Sequence, residues 1–454
     1  MEINNDTYKN PNSDDASKQH KGMPQGLVTG FSKFNRNDRI DSLNNYLGED
    51  VSDFLNTFLH PDEKVQHLVS ELSENFLSNY FLPFGVVPNV LVNQQMYMVP
   101  MVIEESSVVA AASRAAGFWA KNGGFSARVV DTLKKGQVHF TWSGSGSFLK
   151  SVFAQIKSQI YADMAPITGN MEQRGGGIID VELLDLSHKI ENYYQLDVAF
   201  KTADAMGANF INTCLETMAG TLNSFMTKHT NKGKLEIIMS ILSNYTPACL
   251  VECSVSCPIE KLAHMSGAYS PHEFAERFAL AVKIAQVDVS RAVTHNKGIY
   301  NGVDGVVLAT GNDWRAIEAA GHAFASRNGT YGALSDVEII DGNFKYSISL
   351  PLAVGTVGGL TQNHPIAAFA IKMLRNPSAN SLMQIMAAMG MANNFSAVAS
   401  LVTSGIQKGH MKMHLANILN QLGASDGQKE AAKKYFVNKT ISFALVSDFL
   451  KNDN

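Results

Sequence analysis

Alternation of apolar and polar positions predicts a β-hairpin near residue 90. Residues 89–92 and 96–103 have the pattern of strands and are separated by a polar break at 93–95. The second strand leads into an Ala-rich segment that begins at Glu104 and Glu105 and stops at two glycines. This segment predicts a helix, because carboxylates favour a helix N-terminus, where four N–H groups lack partners. Capping of that helix is the simplest interpretation of either glutamate taken alone.

Strands that alternate with amphipathic helices from about residue 126 to 230 predict a small α+β domain. Its last strand, 196–200, leads through the segment DAMGAN (204–209) into a helix. The apolar positions of that helix are spaced by four and three residues, so one face is expected to be buried. These positions are Ile211, Leu215, Met218, Leu222 and Phe225.

The two ends of the chain have contrasting patterns. Residues 1–25 contain almost no bulky apolar side chains and predict a disordered extension. Near the other end, a helix with one apolar face follows Gly409 and is closed by Gly423 as its C-cap. We expect residues after about 405 to form a small, mobile helical unit.

The four cysteines are too few for a disulfide scaffold in a chain of 454 residues. Cys249, Cys253 and Cys257 are spaced by four, which raises the possibility of a metal site. The residues around them, however, have the pattern of a strand, in which this spacing places all three on one face. A row of buried apolar side chains is the favoured interpretation, and we expect no metal site.

The charge and the hydrophobicity of the chain disfavour two kinds of partner, nucleic acids and membranes. Lys+Arg number 37 and Asp+Glu 41, a net charge of −4 without a block of like charge, which disfavours nucleic-acid binding. The chain lacks both a secretory signal pattern and an apolar run of about 18 residues, as a membrane helix requires. We therefore expect a cytoplasmic protein with neither a nucleic-acid nor a membrane partner.

A standard Rossmann dinucleotide site is excluded by the glycine pattern. The nearest candidate, 144–149, lacks the third glycine and an acidic residue at the required distance. The segment 204–209 remains, because a strand-to-helix junction presents backbone N–H groups to a phosphate. An ordinary helix cap is the alternative interpretation of this segment.

Two polar clusters stand out in the second half of the chain. Residues 291–302 contain two cations and two amides without a helical stripe, and residues 309–315 begin a predicted helix. Lys297 and Asp313 suit a buried network in which each ion depends strongly on its partner. A structural ion pair is the simpler alternative.

Five short segments carry more information together than separately. They are PMVIEE (100–105), DAMGAN (204–209), THNKGI (294–299), ATGNDWR (309–315) and GIQKGHM (405–411). In this order and spacing they resemble the 3-hydroxy-3-methylglutaryl-coenzyme A (HMG-CoA) reductase family, in particular its soluble bacterial class II branch. The resemblance covers about residues 65–422.

The resemblance implies an α+β fold with several domains. A large mixed helical and β domain for the CoA substrate and for dimerisation comprises residues 26–128 and 235–404. A small ferredoxin-like dinucleotide-binding domain is inserted at 129–234, and a small helical flap follows at 405–454. The expected assembly is a homodimer, or a higher oligomer of dimers, whose interface forms the active site.

The resemblance also implies a reaction, the four-electron reduction of HMG-CoA to mevalonate and free coenzyme A in the mevalonate route of isoprenoid biosynthesis. Lys297 is expected to stabilise the oxyanion and Glu105 to donate a proton if its surroundings raise its pKa. Asp313 is expected to hydrogen-bond to both. His410 is expected to protonate the departing CoA thiolate.

The binding residues follow from the same resemblance. Those expected near the hydroxymethylglutaryl group are Arg291, Asn301 and Ser107. Arginine suits the free carboxylate because it can form two parallel hydrogen bonds. Those expected to contact the dinucleotide are Asp204, Met206, Gly207 and Asn209.

Three positions depart from the family pattern. Residues 74–78 read ENFLS where the family usually has ENVIG, and this difference alters the loop that frames the CoA arm. Ser106 stands where the family usually has a proline after the catalytic glutamate. The third departure concerns the cofactor. An NADH-preferring member would place an aspartate seven residues before Gly175, where this chain has Thr168. We expect NADPH, with NADH possible, because a neutral hydroxyl does not repel the 2′-phosphate.

Nearby charges bear on the same expectation. Lys150, Lys157 and Arg174 flank the segment and are candidates to attract the 2′-phosphate, whereas a gap in the alignment would bring Asp163 or Glu172 to the discriminating position. Two other functions remain open. A non-reductive CoA-thioester hydrolase or binder would need no dinucleotide loop, and a structural homologue would need no catalytic set.

Overall fold

A computed structural model describes residues 28–229, 232–403, 405, 415–437, 439 and 441–452. The disordered extension predicted for residues 1–25 lies outside this range. The chain divides into two units, of which one comprises the residues up to Pro83 with those from His410 onward, and the other Phe84–Gly409. The fold is a mixture of helices and antiparallel sheets.

The strands of the described residues form three sheets, with the orders β1-β2, β3-β8-β10-β9 and β5-β6-β4-β7. Their bounds are β1 (Phe84–Val92), β2 (Gln95–Val102), β3 (Ser126–Val129), β4 (Lys134–Trp142), β5 (Gly177–Asp185), β6 (Tyr193–Lys201), β7 (Leu235–Leu242), β8 (Leu250–Pro258), β9 (Ser335–Ile340) and β10 (Asn343–Pro351).

The α-helices of the described residues range from one turn to seven turns. Their bounds are α1 (Arg36–Leu47), α2 (Ser52–Asn56), α3 (Glu63–Ser70), α4 (Val108–Ala120), α5 (Gly146–Glu172), α6 (Ala208–His229), α7 (Pro271–Val287), α8 (Val289–Ala309), α9 (Trp314–Ala325), α10 (Leu360–Asn363), α11 (Pro365–Met373), α12 (Ala379–Val402), α13 (415–421), α14 (Asp426–Tyr435) and α15 (Phe443–Asn452). Two short 3₁₀ helices are Phe31–Lys33 and Ile259–His264.

The hairpin predicted near residue 90 is confirmed as β1 and β2, joined by Asn93 and Gln94 with positive φ. The following helix begins later than predicted. Ser107 is the N-cap of α4, and the first turn of this helix contains no acidic residue. Capping by Glu104 or Glu105 was therefore the wrong interpretation, since both lie in the loop between β2 and α4.

The β5-β6-β4-β7 sheet carries α5 and α6 in a β-α-β-β-α-β chain order. The predicted strand at 196–200 is confirmed within β6, and four of the five positions predicted on the apolar face of α6 are buried, Phe225 being partly buried. The sheet extends past the boundary predicted at residue 234, because β7 pairs with β4. The other domain boundaries remain predictions.

The strand predicted around the cysteines is confirmed as β8. Cys253 and Cys257 are buried on the same face as Val251 and Val255, and Cys249 lies immediately before the strand. Burial raises the pKa of the Cys249 thiol to about 11. These thiols pack as apolar side chains against the core.

The absence of a helical stripe in residues 291–302 was misleading, because the whole segment lies within α8. Two polar side chains, His295 and Asn296, occupy buried positions of the helix and are hydrogen-bonded there. Asn296 accepts from the Leu334 N–H at 3.0 Å and donates to the Gly332 carbonyl at 2.9 Å. Two buried positions of α8 are therefore occupied by polar side chains with distant hydrogen-bond partners, where an amphipathic helix normally has apolar residues.

α12 packs beside α8 and is buried along most of its length. Among the described helices, α12 is the one that is long and apolar enough to cross a membrane. However, 78% of its most apolar stretch is buried inside the protein, as in the core helix of a globular protein. The close approach of the two helices depends on glycine. A Cβ atom on Gly302 would lie 2.2 Å from the carbonyl oxygen of Met389.

The C-terminal helices have a small apolar core of their own. Leu415, Ile418 and Leu419 are buried on α13, as their spacing predicts. Gly423 adopts a φ of 65°, and the next N–H bonds the Leu419 carbonyl at 2.9 Å, so the predicted C-cap is confirmed. Met411, predicted on the same face, lies outside the described residues.

Candidate active site

The structure brings Glu105 and Lys297 together. Glu105 lies in the loop between β2 and α4, and Lys297 lies in the middle of α8, 192 residues away in sequence. The lysine ammonium donates a short hydrogen bond to the glutamate Oε2 and forms an ion pair with it. Both side chains are partly exposed, so the pair faces solvent rather than the core.

Packing around α8 holds this pair in place. Met101, near the end of β2, is fully buried against Gly305 of α8, where a side chain would collide with it. From the other side, Asn393 of α12 donates to the Gly298 carbonyl at 2.8 Å, directly beside Lys297. The glutamate loop and the lysine helix are thereby fixed by the core.

Ser107 and Asn301 lie close in sequence to the two residues of the pair. Ser107 has a φ of 75°, a conformation that L-residues other than Asn and Asp rarely adopt, and its hydroxyl forms no cap bond with α4. Such strained residues are frequent at functional sites. Asn301 follows Lys297 by four residues, so both side chains lie on one face of α8.

Asp313 is placed differently from the expectation. Its carboxylate caps α9, accepting from the Ala316 N–H at 3.1 Å, and lies 3.9 Å from the Arg315 guanidinium. Within the described residues it has no recorded hydrogen bond to Glu105 or Lys297. The expected hydrogen bonds to both residues are therefore not formed in this chain.

Arg291 also lies apart from the pair. It precedes Lys297 by six residues, which places it about 120° around α8. Its guanidinium is half-buried, and burial lowers its pKa while the neighbouring Tyr346 phenol raises it. Arg291 and the Glu105–Lys297 pair therefore occupy different sides of the helix.

The DAMGAN segment forms the connection between β6 and α6. The Asp204 carboxylate accepts from the Ala379 N–H at the start of α12 at 2.7 Å, and the Asp204 carbonyl accepts from the Thr356 N–H at 2.8 Å. Gly207 has a φ of 94° and lies against Thr202, leaving no space for a Cβ atom. Met206 is partly buried and Asn209 is exposed.

Asn312 links this connection to the Asp313 turn. Its side-chain amide donates to the Gly355 carbonyl at 3.1 Å and accepts from the Gly355 N–H at 2.8 Å. Val357, two residues after Gly355, forms an isolated β-bridge with Ala205. The expected dinucleotide loop and the turn before α9 therefore both contact the segment 355–357.

A family model described as hydroxymethylglutaryl-coenzyme A reductase matches residues 35–415. The chain belongs to this family. It is 32% identical over 414 residues to the 3-hydroxy-3-methylglutaryl-coenzyme A reductase of Archaeoglobus fulgidus, which covers 90% of each chain. It is 33% identical over 350 residues to a probable enzyme of the same name from Borreliella burgdorferi, which covers 77% of this chain and 78% of that one.

Solved structures of hydroxymethylglutaryl-coenzyme A reductase from Streptococcus pneumoniae have the same fold. One is 34% identical with a TM-score of 0.69 and covers 94% of this chain and 99% of its own. Another, a class II enzyme bound to NADPH in open conformations, is 36% identical with a TM-score of 0.67 and covers 83% and 99%. The mixed helix and sheet fold is thus that of the family.

Sequence reasoning missed one acid in this member of the hydroxymethylglutaryl-coenzyme A reductase family. Asp304 follows Lys297 by seven residues, on the same face of α8, and its Oδ1 atom is buried without a hydrogen-bond partner among the described residues. Burial, followed by the charge and hydrogen bond of Glu318 and the charge of Glu104, raises the pKa of Asp304 to about 8. A carboxylate inside the apolar run 303–308 was the available signal.

Thr168, the residue expected to distinguish the 2′-phosphate of NADPH from the 2′-hydroxyl of NADH, is buried in this chain. Thr168 is buried within α5, and its hydroxyl donates to the Met164 carbonyl at 3.2 Å. The position seven residues before Gly175 is therefore not exposed to a bound ribose in this chain. Lys150 and Lys157 are ion-paired with Asp185 and Asp180, at 3.0 and 2.6 Å, whereas Arg174 is exposed.

The fourth expected catalytic residue, His410, lies outside the described residues. Within the part of the chain that the structure describes, no group of three or more histidines, cysteines or carboxylates is arranged to hold a metal ion. The described residues of the candidate site are therefore the Glu105–Lys297 pair, Asp304 two turns further along α8, and the loop at 204–209.

Proposed function

We propose that this chain reduces HMG-CoA to mevalonate and free coenzyme A with two NADPH and two protons. The observation that carries the proposal is the Glu105–Lys297 pair, made by two separate motifs in a member of the reductase family. A partly exposed ion pair contributes little to stability, typically about 0–1 kcal/mol. A role of Glu105 and Lys297 in catalysis explains the placement of this ion pair better than a role in stability does.

Lys297 supplies the positive charge of the reaction. Hydride addition to a thioester or aldehyde carbon develops negative charge on oxygen, and a fixed ammonium stabilises that charge without reorganisation. Asn393 and the packing of α8 hold the lysine backbone rigid, which favours such preorganisation. Glu105, within hydrogen-bond reach of the same ammonium, is the proposed donor of the proton; because it is the carboxylate of the ion pair, it first takes up that proton from solvent, to which it is partly exposed.

The roles of the substrate-binding residues follow from the family resemblance and agree with their side-chain chemistry. Arg291 is proposed to bind the free carboxylate of the hydroxymethylglutaryl group, while Asn301 and Ser107 bind its hydroxyl and carbonyl oxygens. His410 is proposed to protonate the CoA thiolate. Asp313 is proposed to tune Glu105 and Lys297 once the site is complete.

A homodimer, or an oligomer of dimers, is part of the proposal. In the single chain Arg291 lies on a different side of α8 from the Glu105–Lys297 pair, and the Asp313 carboxylate caps α9 instead of bonding to the pair. A site assembled at the interface between two chains would bring these residues to one substrate. The proposed cytoplasmic location is supported by four buried cysteine thiols without disulfides, as in a reducing compartment.

The dinucleotide is proposed to bind the loop at 204–209, with Asp204, Met206, Gly207 and Asn209 as its contacts. The loop fits this role because Gly207 leaves the backbone bare and α6 begins directly after it, with N–H groups that favour a phosphate. When bound, NADPH supplies the hydride. The NADPH-bound Streptococcus pneumoniae structure supports the choice of cofactor.

The finer domain assignment belongs to the same proposal. The β-α-β-β-α-β order of the β5-β6-β4-β7 sheet supports a ferredoxin-like dinucleotide-binding domain inserted into the larger substrate domain. The apolar core shared by α13, α14 and α15 supports a separate C-terminal flap. This flap is proposed to close over the cofactor and to open for its exchange between the two reductions.

A non-reductive CoA-thioester hydrolase is the alternative function. It needs no dinucleotide loop, and the intact DAMGAN segment therefore argues against it. The test is to incubate the purified chain with HMG-CoA and each reduced nicotinamide in turn, following the loss of nicotinamide absorbance and the release of thiol. We expect oxidation with a higher kcat/KM for NADPH than for NADH. Thiol release without any nicotinamide would favour the hydrolase.

A further inference from the structure

Lys134 is a buried lysine without a carboxylate partner. It is the first residue of β4, and only 4% of its surface is exposed. Among the described residues no acid lies within ion-pair distance of its ammonium, whereas its neighbour Lys135 pairs with Asp197 on the opposite face of the strand. Burial lowers the pKa of Lys134, so the protein bears a cost for keeping it there.

The ammonium of Lys134 is directed at the loop proposed to bind the dinucleotide. It donates to the Thr202 hydroxyl at 2.5 Å and to the Ala205 carbonyl at 3.3 Å. The same Thr202 hydroxyl lies 2.7 Å from the Ala205 carbonyl and 3.4 Å from that of Met206. Lysine and threonine therefore hold the carbonyl groups of the loop on its inner side.

Among the residues that the structure describes, Lys134 is the positively charged side chain that contacts the loop. Asp204 is bound to backbone N–H groups at Ala379 and Thr356, which are uncharged. Lys134 and Met206 line one small cavity, beside the hydroxyl of Thr246, which is buried without a hydrogen-bond partner. A structural role alone would be served by a neutral donor, which costs less to bury than an ammonium ion.

We propose that Lys134 is a positioning residue for the dinucleotide, holding the Ala205 and Met206 carbonyls inward and supplying positive charge to the loop that binds the phosphates. The Ala205 N–H is itself bonded to the Thr202 carbonyl at 2.9 Å, so the N–H groups proposed to meet the anion are those at the start of α6. The proposal rests on the proposed function, in which this loop binds NADPH. It concerns cofactor affinity and leaves the chemistry at Lys297 unchanged.

The test compares the NADPH dissociation constants of the full-length wild type, Lys134→Met, Lys134→Arg and Lys135→Met, measured from the fluorescence of bound NADPH. We expect Lys134→Met to weaken NADPH binding by about tenfold or more, because hydrogen bonds from a charged group contribute on that order. Lys134→Arg should recover part of the affinity, and Lys135→Met should bind as the wild type does. The KM for HMG-CoA should not change.

Binding of NADPH by Lys134→Met within twofold of the wild type would overturn the proposal. If Lys134→Met does not fold, Thr202→Val replaces it, because this variant removes an acceptor of the ammonium and leaves the lysine. A folded Thr202→Val with normal NADPH affinity would then assign Lys134 a structural role and overturn the proposal. Failure of the wild type itself to bind NADPH would instead contradict the proposed function.

Discussion

Lys297 and Glu105 form a partly exposed ion pair whose partners come from distant segments of the chain. Replacing Lys297 by alanine should lower turnover by about a hundredfold or more, because the preorganised charge beside the reacting oxygen is lost. The folded state should survive, since the pair contributes little to stability. Steady-state kinetics and a thermal melt measure the two effects.

The matched control for this substitution is Lys345→Ala. Lys345 of β10 pairs with Glu338 of β9 at 2.9 Å, both at exposed positions, so its removal breaks an ion pair of similar exposure away from the site. Its turnover should equal that of the wild type. A near-normal rate for Lys297→Ala would refute the oxyanion role.

Asp304 predicts a pH dependence of stability. Its pKa is raised to about 8 by burial and by Glu318 and Glu104, whereas in the unfolded chain the carboxyl titrates near its ordinary value of about 4. The folded state therefore holds a proton that the unfolded state has lost, and stability falls as the pH rises from about 4 through 8. Asp304→Asn, which does not titrate, should lose less stability over this range.

Melting temperatures between pH 6 and pH 9 provide the measurement for Asp304. The wild type should fall more steeply than Asp304→Asn, by at least a few degrees over the range. Glu276→Gln, at an exposed position of α7, is the control and should follow the wild type. Parallel curves for the wild type and Asp304→Asn would mean that the carboxyl is ionised in the folded protein.

His410 gives a prediction that depends on substrate. His410→Gln should impair the reduction of HMG-CoA about tenfold more than the reduction of free mevaldehyde, since only the thioester releases a thiolate that needs a proton. Rates on the two substrates, measured with the same enzyme preparation, decide the matter. Equal losses would remove His410 from leaving-group chemistry.

At the scale of elements, the contact between α8 and α12 positions Lys297. Because a side chain at residue 302 would meet the backbone of Met389, Gly302→Ala should destabilise the protein by about 1–3 kcal/mol and lower its activity. Gly220→Ala is the control, since Gly220 lies in α6 with open space around it. Chemical denaturation compares the two, and equal stability would show that the helices are free to separate.

Elements were predictable where burial follows the period of the backbone. β8 and α6 each bury one face, so alternation and 3.6-residue spacing identified them. α8 was hidden because His295 and Asn296 are buried polar residues whose partners, Ser335 and Gly332, are remote in sequence. The hydrophobic period of a sequence reports buried apolar side chains and does not detect buried polar side chains whose hydrogen-bond partners are distant in sequence.

At the scale of the whole molecule, the sequence indicated which motifs belong together but not how they contact. The pairing of Glu105 with Lys297 follows from the packing of β2, α8 and α12. Asp313 was expected to hydrogen-bond to both; in this chain its carboxylate caps α9, and its role beside the pair stays a prediction. Lys134 gave no signal at all, because a lysine that begins a strand normally points to solvent and its burial depends on the loop that covers it.

The stoichiometry of the complete reaction tests the central claim most directly. With purified chain, HMG-CoA and excess NADPH, nicotinamide oxidation, free coenzyme A and mevalonate are measured in one reaction taken to completion. The account predicts two NADPH oxidised for each coenzyme A released and each mevalonate formed. Release of coenzyme A without oxidation of NADPH, or a ratio of one that ends at the aldehyde, would contradict it.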